Sequence, residues 1–186
     1  MLPLKFAGLR QNGGLRGNMN IKLKKAVFED IDAIIALNNK ANENLVDPSW
    51  FCMDDPDFIV RHIEQEGFIL KAVDNQILAG FLIVRYPNMA EDNLGIYQNQ
   101  TEDQMKQVAH METVVISKEY QGNKLQLKLM KAAEEALKDT TYQYFFATVH
   151  PDNQYSLNNF ISLNYNIITT VKKYGGLDRH ILYKEK

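Results

Sequence analysis

Apolar and charged residues alternate over residues 21–26. Ile21 and Leu23 fall on one side and Lys22 and Lys24 on the other, the period-two pattern of a half-buried strand. Over about 29–41 the period lengthens: Ile31, Ile34, Ile35 and Leu37 recur at helical spacing. Residues 42–53 are irregular, broken by Asp47-Pro48. Asp54 or Asp55 is placed to cap a second helix, with Pro56 in its first turn, Phe58, Ile59 and Ile63 on one face and Gly67 at its end. Residues 68–73 and 76–85 read as apolar strands around an Asp74-Asn75 hairpin turn.

Residues 86–106, with Pro87 and Gly95, read as a long loop with room for short structure, of the kind that is functional or disordered. Residues 108–116 read as a strand. Strict alternation puts Val108, His110, Glu112, Val114 and Ile116 on one face and Ala109, Met111, Thr113 and Val115 on the other. A helix is predicted over 123–138 and a strand over 144–149. A short helix capped by Asp152 or Asn153 then ends near Leu163. Strands over 165–171 and 180–184 flank Gly175-Gly176. The order β-α-α-β-β-β-α-β-α-β-β predicts an α/β fold of the α+β kind, a mixed sheet with helices on its faces.

The chain has 186 residues, enough for one domain, with ordinary globular composition at 45% hydrophobic and 24% charged. A net charge of −2 lacks the clustered basic surface that nucleic acid requires. No apolar run approaches the ~20 residues of a membrane span, so no membrane partner is expected. Cys52 is the only cysteine, which excludes a disulfide within the chain and reads as a small buried hydrophobe. Residues 1–18 carry Lys5, Arg10 and Arg16, no acid and four glycines. They read as a disordered leader or upstream segment, leaving 19–186 as one domain, with a cytoplasmic location expected.

The chemistry concentrates where the 108–116 strand turns through Gln121-Gly122-Asn123 into a helix. The first amides of a helix have no partner within it, and with the positive end of the dipole they form an anion site. Lys124, Lys128 and Lys131 occupy the first half and Glu134 and Glu135 the second, opposite to what the dipole favours. A docked anion explains that order; solvated lysines without a ligand are the plain alternative. Neither G-x-x-x-x-G-K-[ST] nor G-x-G-x-x-G occurs in the chain.

At this point the chain resembles the GNAT superfamily of acyl-CoA-dependent N-acetyltransferases, over roughly residues 20–186. Its signature [QR]-x-x-G-x-[GA], which holds the coenzyme A pyrophosphate on backbone amides, is similar to Gln121-Gly122-Asn123-Lys124-Leu125-Gln126. Lys124 stands where glycine is usual and Gln126 where glycine or alanine is usual. Asn153, Ser156, Phe160 and Asn164-Tyr165 are similar to the family's N-x-x-[AS]-x-x-x-Y-x-x-x-G-[FY]. Asn153 then touches the pantetheine arm, caps a helix, or both. Asn164 replaces a C-cap glycine and tolerates the left-handed conformation. Phe160 replaces the tyrosine that protonates the departing thiolate. Tyr155, Tyr165 and Tyr174 are the substitutes on offer.

The resemblance implies a seven-stranded, mostly antiparallel sheet with helices on both faces, and acetyl-CoA as co-substrate with no metal. It implies a primary amine of a small molecule, amino acid or peptide as acceptor, and it is compatible with a homodimer. Family bases lie eleven or nine residues before the signature, which here gives His110 and Glu112 as the catalytic pair; both also read simply as the polar side of a strand. Val114, Val115 and Ile116 would offer backbone to the pantetheine, whose amides pair like a strand. The acceptor side falls to loops 42–53, 86–106 and 172–179. Their acids Glu43, Asp47, Glu91, Asp92, Glu102 and Asp103 could attract an amine. Trp50, Phe51 and Tyr97 could line a pocket there, with core packing the default for the first two, and Arg179 could meet a carboxylate or phosphate or sit in solvent. A non-catalytic acyl-CoA-binding or regulatory module is the alternative, given Lys124, Gln126 and Phe160. A hydrolase of the G-x-S-x-G kind lacks its motif.

Overall fold

The computed structural model describes residues 19–43, 45 and 47–186. The expectation for residues 1–18 lies outside the described residues. Strand β1 is Ile21–Lys25, followed by helix α1 at Ile31–Glu43 and α2 at Pro56–Arg61. Asp55, not Asp54, caps α2: its Oδ1 accepts the Phe58 amide at 2.7 Å, and Pro56 occupies the first turn. Strands β2, Gly67–Asp74, and β3, Ile77–Arg85, form the expected hairpin.

The segment read as a loop is ordered. A 3₁₀ turn at Leu94–Gln98 leads to the short helix α3, Glu102–Met105, closed by a Thr101/Gln104 capping box. Asn93 is fully buried; its amide nitrogen donates to the Asn88 and Met105 carbonyls and its oxygen accepts from Gly95. A bidentate Arg85–Asp92 pair at 2.7 and 2.8 Å fastens the segment to the end of β3.

Strand β4 is Val108–Ile116, α4 Leu125–Leu137, β5 Tyr144–Val149, α5 Gln154–Ser162, β6 Asn166–Lys173 and β7 Leu177–Glu185. The last two strands are longer than the sequence pattern suggested, because the hairpin continues up to the turn at Tyr174-Gly175-Gly176. The seven strands form one sheet in the order β1-β2-β3-β4-β5-β7-β6. Every neighbouring pair is antiparallel except β4 and β5.

Two apolar layers cover the sheet. On one face Leu125, Leu129, Met130, Ala133 and Leu137 of α4 bury one stripe against Leu70, Leu82, Met111 and Phe145. Full burial of each leucine stabilises by about 1.5–3 kcal/mol. On the other face Ile34 and Leu37 of α1 and Ile59 of α2 pack on Ile69, Phe81, Ile83 and Val115.

The alternation along β4 is broken. Ile83 stands opposite Thr113 and Val84 opposite Met111, so Glu112 is the extra residue of a bulge. Ala109 and Met111 lie in the α4 layer, and after the bulge so do Val114 and Ile116. Val115 belongs to the α1–α2 layer. The strict two-face assignment over 108–116 is therefore wrong beyond Met111. One extra residue exchanges the faces and re-aims Glu112.

Candidate active site

The site begins where the sheet comes apart. β4 and β5 run parallel, yet pair only at Val108↔Tyr144, Ala109↔Phe145 and His110↔Phe146. Beyond the bulge the two strands no longer pair. This opening lies at the carboxyl ends of the one parallel pair among the described residues, the place where open α/β sheets take ligands.

The direction of the β4 amides follows from one bond. The Ser117 amide donates to the Ala79 carbonyl of β3 at 2.9 Å. Amides of an antiparallel strand alternate sides, so those of Val115 and Thr113 also turn to β3. Those of Val114 and Ile116 turn into the opening. The expectation that the Val115 amide faces a ligand is corrected on this ground.

A cavity of about 120 Å³ fills the opening. Met111, Glu112, Thr113 and Val114 of β4 face Thr148 and Val149 of β5, and Asn153, Ser156 and Phe160 of α5 form one end. Trp50, Phe51, Cys52 and Asp54 enter from the segment before α2, and Tyr174 and Arg179 from the β6–β7 hairpin. Cys52 is exposed rather than buried as expected. Tyr97 and the 86–106 acids do not line the cavity. Tyr97 packs with Leu94 and Phe146 instead.

Of the predicted catalytic pair, which the structure joins by a hydrogen bond, only Glu112 lines the cavity. His110 is 3% exposed, and its Nε2 accepts the Leu94 amide at 3.1 Å. That bond places the ring proton on Nδ1, which donates to Glu112 Oε2 at 3.2 Å. Both ring nitrogens are thus engaged by protein, and His110 is absent from the cavity wall. Glu112 is present there. Burial would raise its carboxyl, but the His110 hydrogen bond and the Arg85 guanidinium at 3.8 Å outweigh this and hold it below the ordinary range.

Asp54 is the acid that the sequence reading missed, having been offered only as a cap. Since Asp55 takes that role, the Asp54 carboxyl is left to face the cavity. Its own carbonyl accepts from Asn38 Nδ2 at 3.0 Å, which fixes the segment to α1. Its Oδ2 is buried with no partner among the described residues. Burial, reinforced by the Glu112 charge and resisted by the Thr113 hydroxyl, pushes the Asp54 carboxyl up to about 6.

The turn after β4 adjoins the α5 end of this cavity. Gly122 has φ 79° and Lys124 φ 58°, and α4 starts at Leu125. Lys124 is the N-cap residue, with no side-chain cap bond, and its carbonyl accepts the Lys128 amide at 3.0 Å. Among the described residues the amides of Gly122, Asn123, Lys124, Leu125, Gln126 and Leu127 have no protein acceptor. A Cβ built on Gly122 would meet nothing within 4 Å, so the turn is open from outside. The Gln121 amide is turned inward to the Lys118 carbonyl at 3.4 Å. Gln126 Nε2 donates to Ser156 Oγ at 2.9 Å, tying the start of α4 to the start of α5.

Lys124 adopts the left-handed conformation that glycine adopts freely, at a cost of about 1–2 kcal/mol for an L-residue. Lys124→Gly is therefore expected to raise stability by about 1 kcal/mol in urea titration, without strain elsewhere. An unchanged or lower midpoint would contradict this account of the turn.

On α5, Asn153 Oδ1 accepts the Ser156 amide at 3.1 Å, and the residue caps the helix while lining the cavity. Asn164 has φ 67°, the left-handed ending that its sequence position allowed. Phe160 is buried against Tyr165. Of the three tyrosines offered in its place, Tyr155 is 83% exposed and Tyr165 is buried beside Glu134. Only Tyr174 reaches the cavity; its hydroxyl shares a 3.2 Å hydrogen bond with Thr148, and burial pushes it up to about 12. A separate contact, Ser49 Oγ to His150 Nε2 at 3.4 Å, resembles an activated serine but cannot be one. The Asp152 amide donates to His150 Nδ1, so Nε2 carries the proton and has no lone pair for the hydroxyl.

The fold is shared with solved acetyltransferases. An N-acetyltransferase from Staphylococcus aureus Mu50 aligns at 18% identity and TM-score 0.67, covering 89% of this chain and 98% of that one. The protein yncA from Salmonella typhimurium, solved with its cofactor acetyl-CoA, aligns at 17% and 0.67 over 89% and 94%. The ribosomal-protein-alanine N-acetyltransferase from Brucella melitensis aligns at 17% and 0.69 over 89% and 99%. No curated protein matches the sequence. Among the described residues no helix is long and apolar enough to cross a membrane. The acetyltransferase (GNAT) family model matches residues 34–164, a stretch that runs from α1 through the split strands to the end of α5, and the chain belongs to this family of acetyl-CoA-dependent acetyltransferases.

Proposed function

We propose that residues 19–186 act as one domain that transfers an acetyl group from acetyl-CoA to a primary amine in the β4–β5 opening. One observation carries this reading. The unpaired amides of Val114 and Ile116 and the unpartnered Oδ2 of Asp54 lie at one opening, and the open amide turn at 122–127 is tied to its α5 end through the Gln126–Ser156 bond.

Acetyl-CoA supplies an acyl carbon activated as a thioester when bound. Its diphosphate would rest on the amides of 122–127, with Lys124 and Lys128 nearby. Its pantetheine arm would lie along Val114 and Ile116, between β4 and the α5 residues Asn153, Ser156 and Phe160. The Val114 amide would donate to the carbonyl oxygen as negative charge develops on it.

The acceptor amine must lose a proton before its nitrogen has a lone pair for the carbonyl carbon. Asp54 is suited to take that proton, directly or through a water, because a base titrating near 6 is closer to the working pH than an ordinary carboxylate. Glu112 stays ionised and attracts the ammonium, while His110 acts as a positioning residue that fixes Glu112. As the new C–N bond forms, the C–S bond breaks. Tyr174, which keeps its proton throughout this range, can donate a hydrogen bond to the leaving sulfur. A thiol near ~8.5 departs as thiolate without a proton donor, so Phe160 is tolerable.

Thermal unfolding with acetyl-CoA, CoA, ATP and NAD tests the binding half. Stabilisation by acetyl-CoA and CoA, with none from NAD, is expected. Thiol release over an amine panel tests the chemistry. Stabilisation with no release from any amine would favour a binding module.

A further inference from the structure

Three polar groups in the cavity have no partner of the kind their chemistry requires. Arg179 is 2% exposed, yet among the described residues its guanidinium makes a single hydrogen bond, to the Asp178 carbonyl at 2.8 Å, and no ion pair. The neighbouring carboxylate of Asp178 is held by Lys172 at 2.7 Å, and the Arg85 guanidinium beside Glu112 is held by Asp92. The Trp50 indole N–H is buried without an acceptor, and Asp54 Oδ2 is buried without a donor.

A buried guanidinium with one bond from five donors is costly to leave so. The Tyr174 ring, 5.4 Å from the guanidinium carbon, offsets only part of that cost. A guanidinium with donors to spare, an unengaged indole N–H and an unengaged carboxylate oxygen thus share a cavity of about 120 Å³. An amine alone uses only the acidic side of it. The complement of both sides is a small molecule with an ammonium and a carboxylate.

We propose that the acceptor is a small amino acid, its carboxylate held by the Arg179 fork and its amine by Asp54 and Glu112. Arg179 is then a specificity-determining residue, since a planar fork matches a carboxylate in a way that a neutral amide cannot reproduce. The inference rests on the acetyl-transfer reading above and adds the substrate class.

The test compares each of a set of free amino acids with its carboxamide, as acceptors in thiol release. Wild type is expected to prefer the free acids by about 10–150-fold in kcat/KM, the range for hydrogen bonds to a charged group. Arg179→Met should abolish the preference, bringing kcat/KM for the free acids down to that for their carboxamides. Arg179→Lys keeps the charge without the fork and should recover part of the preference, which separates recognition from misfolding. Equal rates for acids and carboxamides in wild type would overturn the proposal while leaving acetyl transfer standing. If no acceptor releases thiol, calorimetric binding of N-acetylglycine to the CoA-bound protein decides the matter. Arg179-dependent binding supports the carboxylate site even though the transfer reading has failed, and no binding overturns it.

Discussion

Asp54→Asn is expected to lower kcat/KM by about 10²–10⁴-fold, with acetyl-CoA affinity retained. The groups whose charge or hydrogen bonding acts on this carboxyl are Thr113, Glu112, Asp55 and Arg85. In wild type, activity should rise with pH through about 6 as Asp54 loses its proton, and the variant should lose that acid limb. Glu112→Gln should move the limb to lower pH, because the Glu112 charge helps to raise Asp54. It should also raise the acceptor KM, because the ammonium loses a fixed counter-charge. Stability should move the opposite way from activity. The folded carboxyl holds its proton up to about 6, against 3.8 for an ordinary one. The folded state therefore binds more protons than the unfolded chain between these values, and stability falls as pH rises through the window. Asp54→Asn removes that loss, so its gain should be full above pH 6 and absent below 3.8. An acid limb that survives in the Asn variant would remove Asp54 from the mechanism.

Val114→Pro should cost about 10²–10³-fold in kcat through loss of one donor to the developing oxyanion. Proline is tolerated at strand edges and bulges because it removes only one amide hydrogen. Val114 follows the Glu112 bulge by two residues, and its amide points away from β3, so the β3–β4 ladder keeps its bonds. Val115→Pro is the control. Its amide is a rung of that ladder, and the variant should be destabilised or fail to fold. If Val114→Pro retains full kcat, or if both variants unfold alike, the assigned amide direction is wrong. Single-turnover rates and urea titration of the two variants give both answers.

The sequence revealed the sheet because its strands carry near-continuous apolar runs between strong punctuation. Val108–Ile116 and Tyr144–Val149 were placed to the residue. The open turn before α4 was legible for a related reason: Gly122 and the helix start leave their marks within six positions. The bulge was not. An extra residue in one strand is defined by its partner, and nothing local to Glu112 announces that Ile83 and Val84 will skip it.

The same holds for His110, whose withdrawal from the cavity depends on an amide sixteen residues earlier. Leu94 lies in a stretch that looked irregular because its order comes from buried side-chain bonds of Asn93 rather than from periodicity. Asp54 was hidden by its neighbour. Two adjacent aspartates before a proline fit one cap equally well, and only the structure decides which of them is left over. Arg179 was flagged by its chemistry, and its burial among cavity residues makes that chemistry specific.

The scarcity of rungs between β4 and β5 bears on how the molecule holds together. Strands β1 to β4 form one panel and β5, β7 and β6 another, sewn along the sheet by a three-residue seam at Val108–His110. A strand-like ligand lying in the slit would act as a thread through both panels. Hydrogen exchange should then slow on either side of the slit together, and the free protein should breathe along that line before it melts anywhere else.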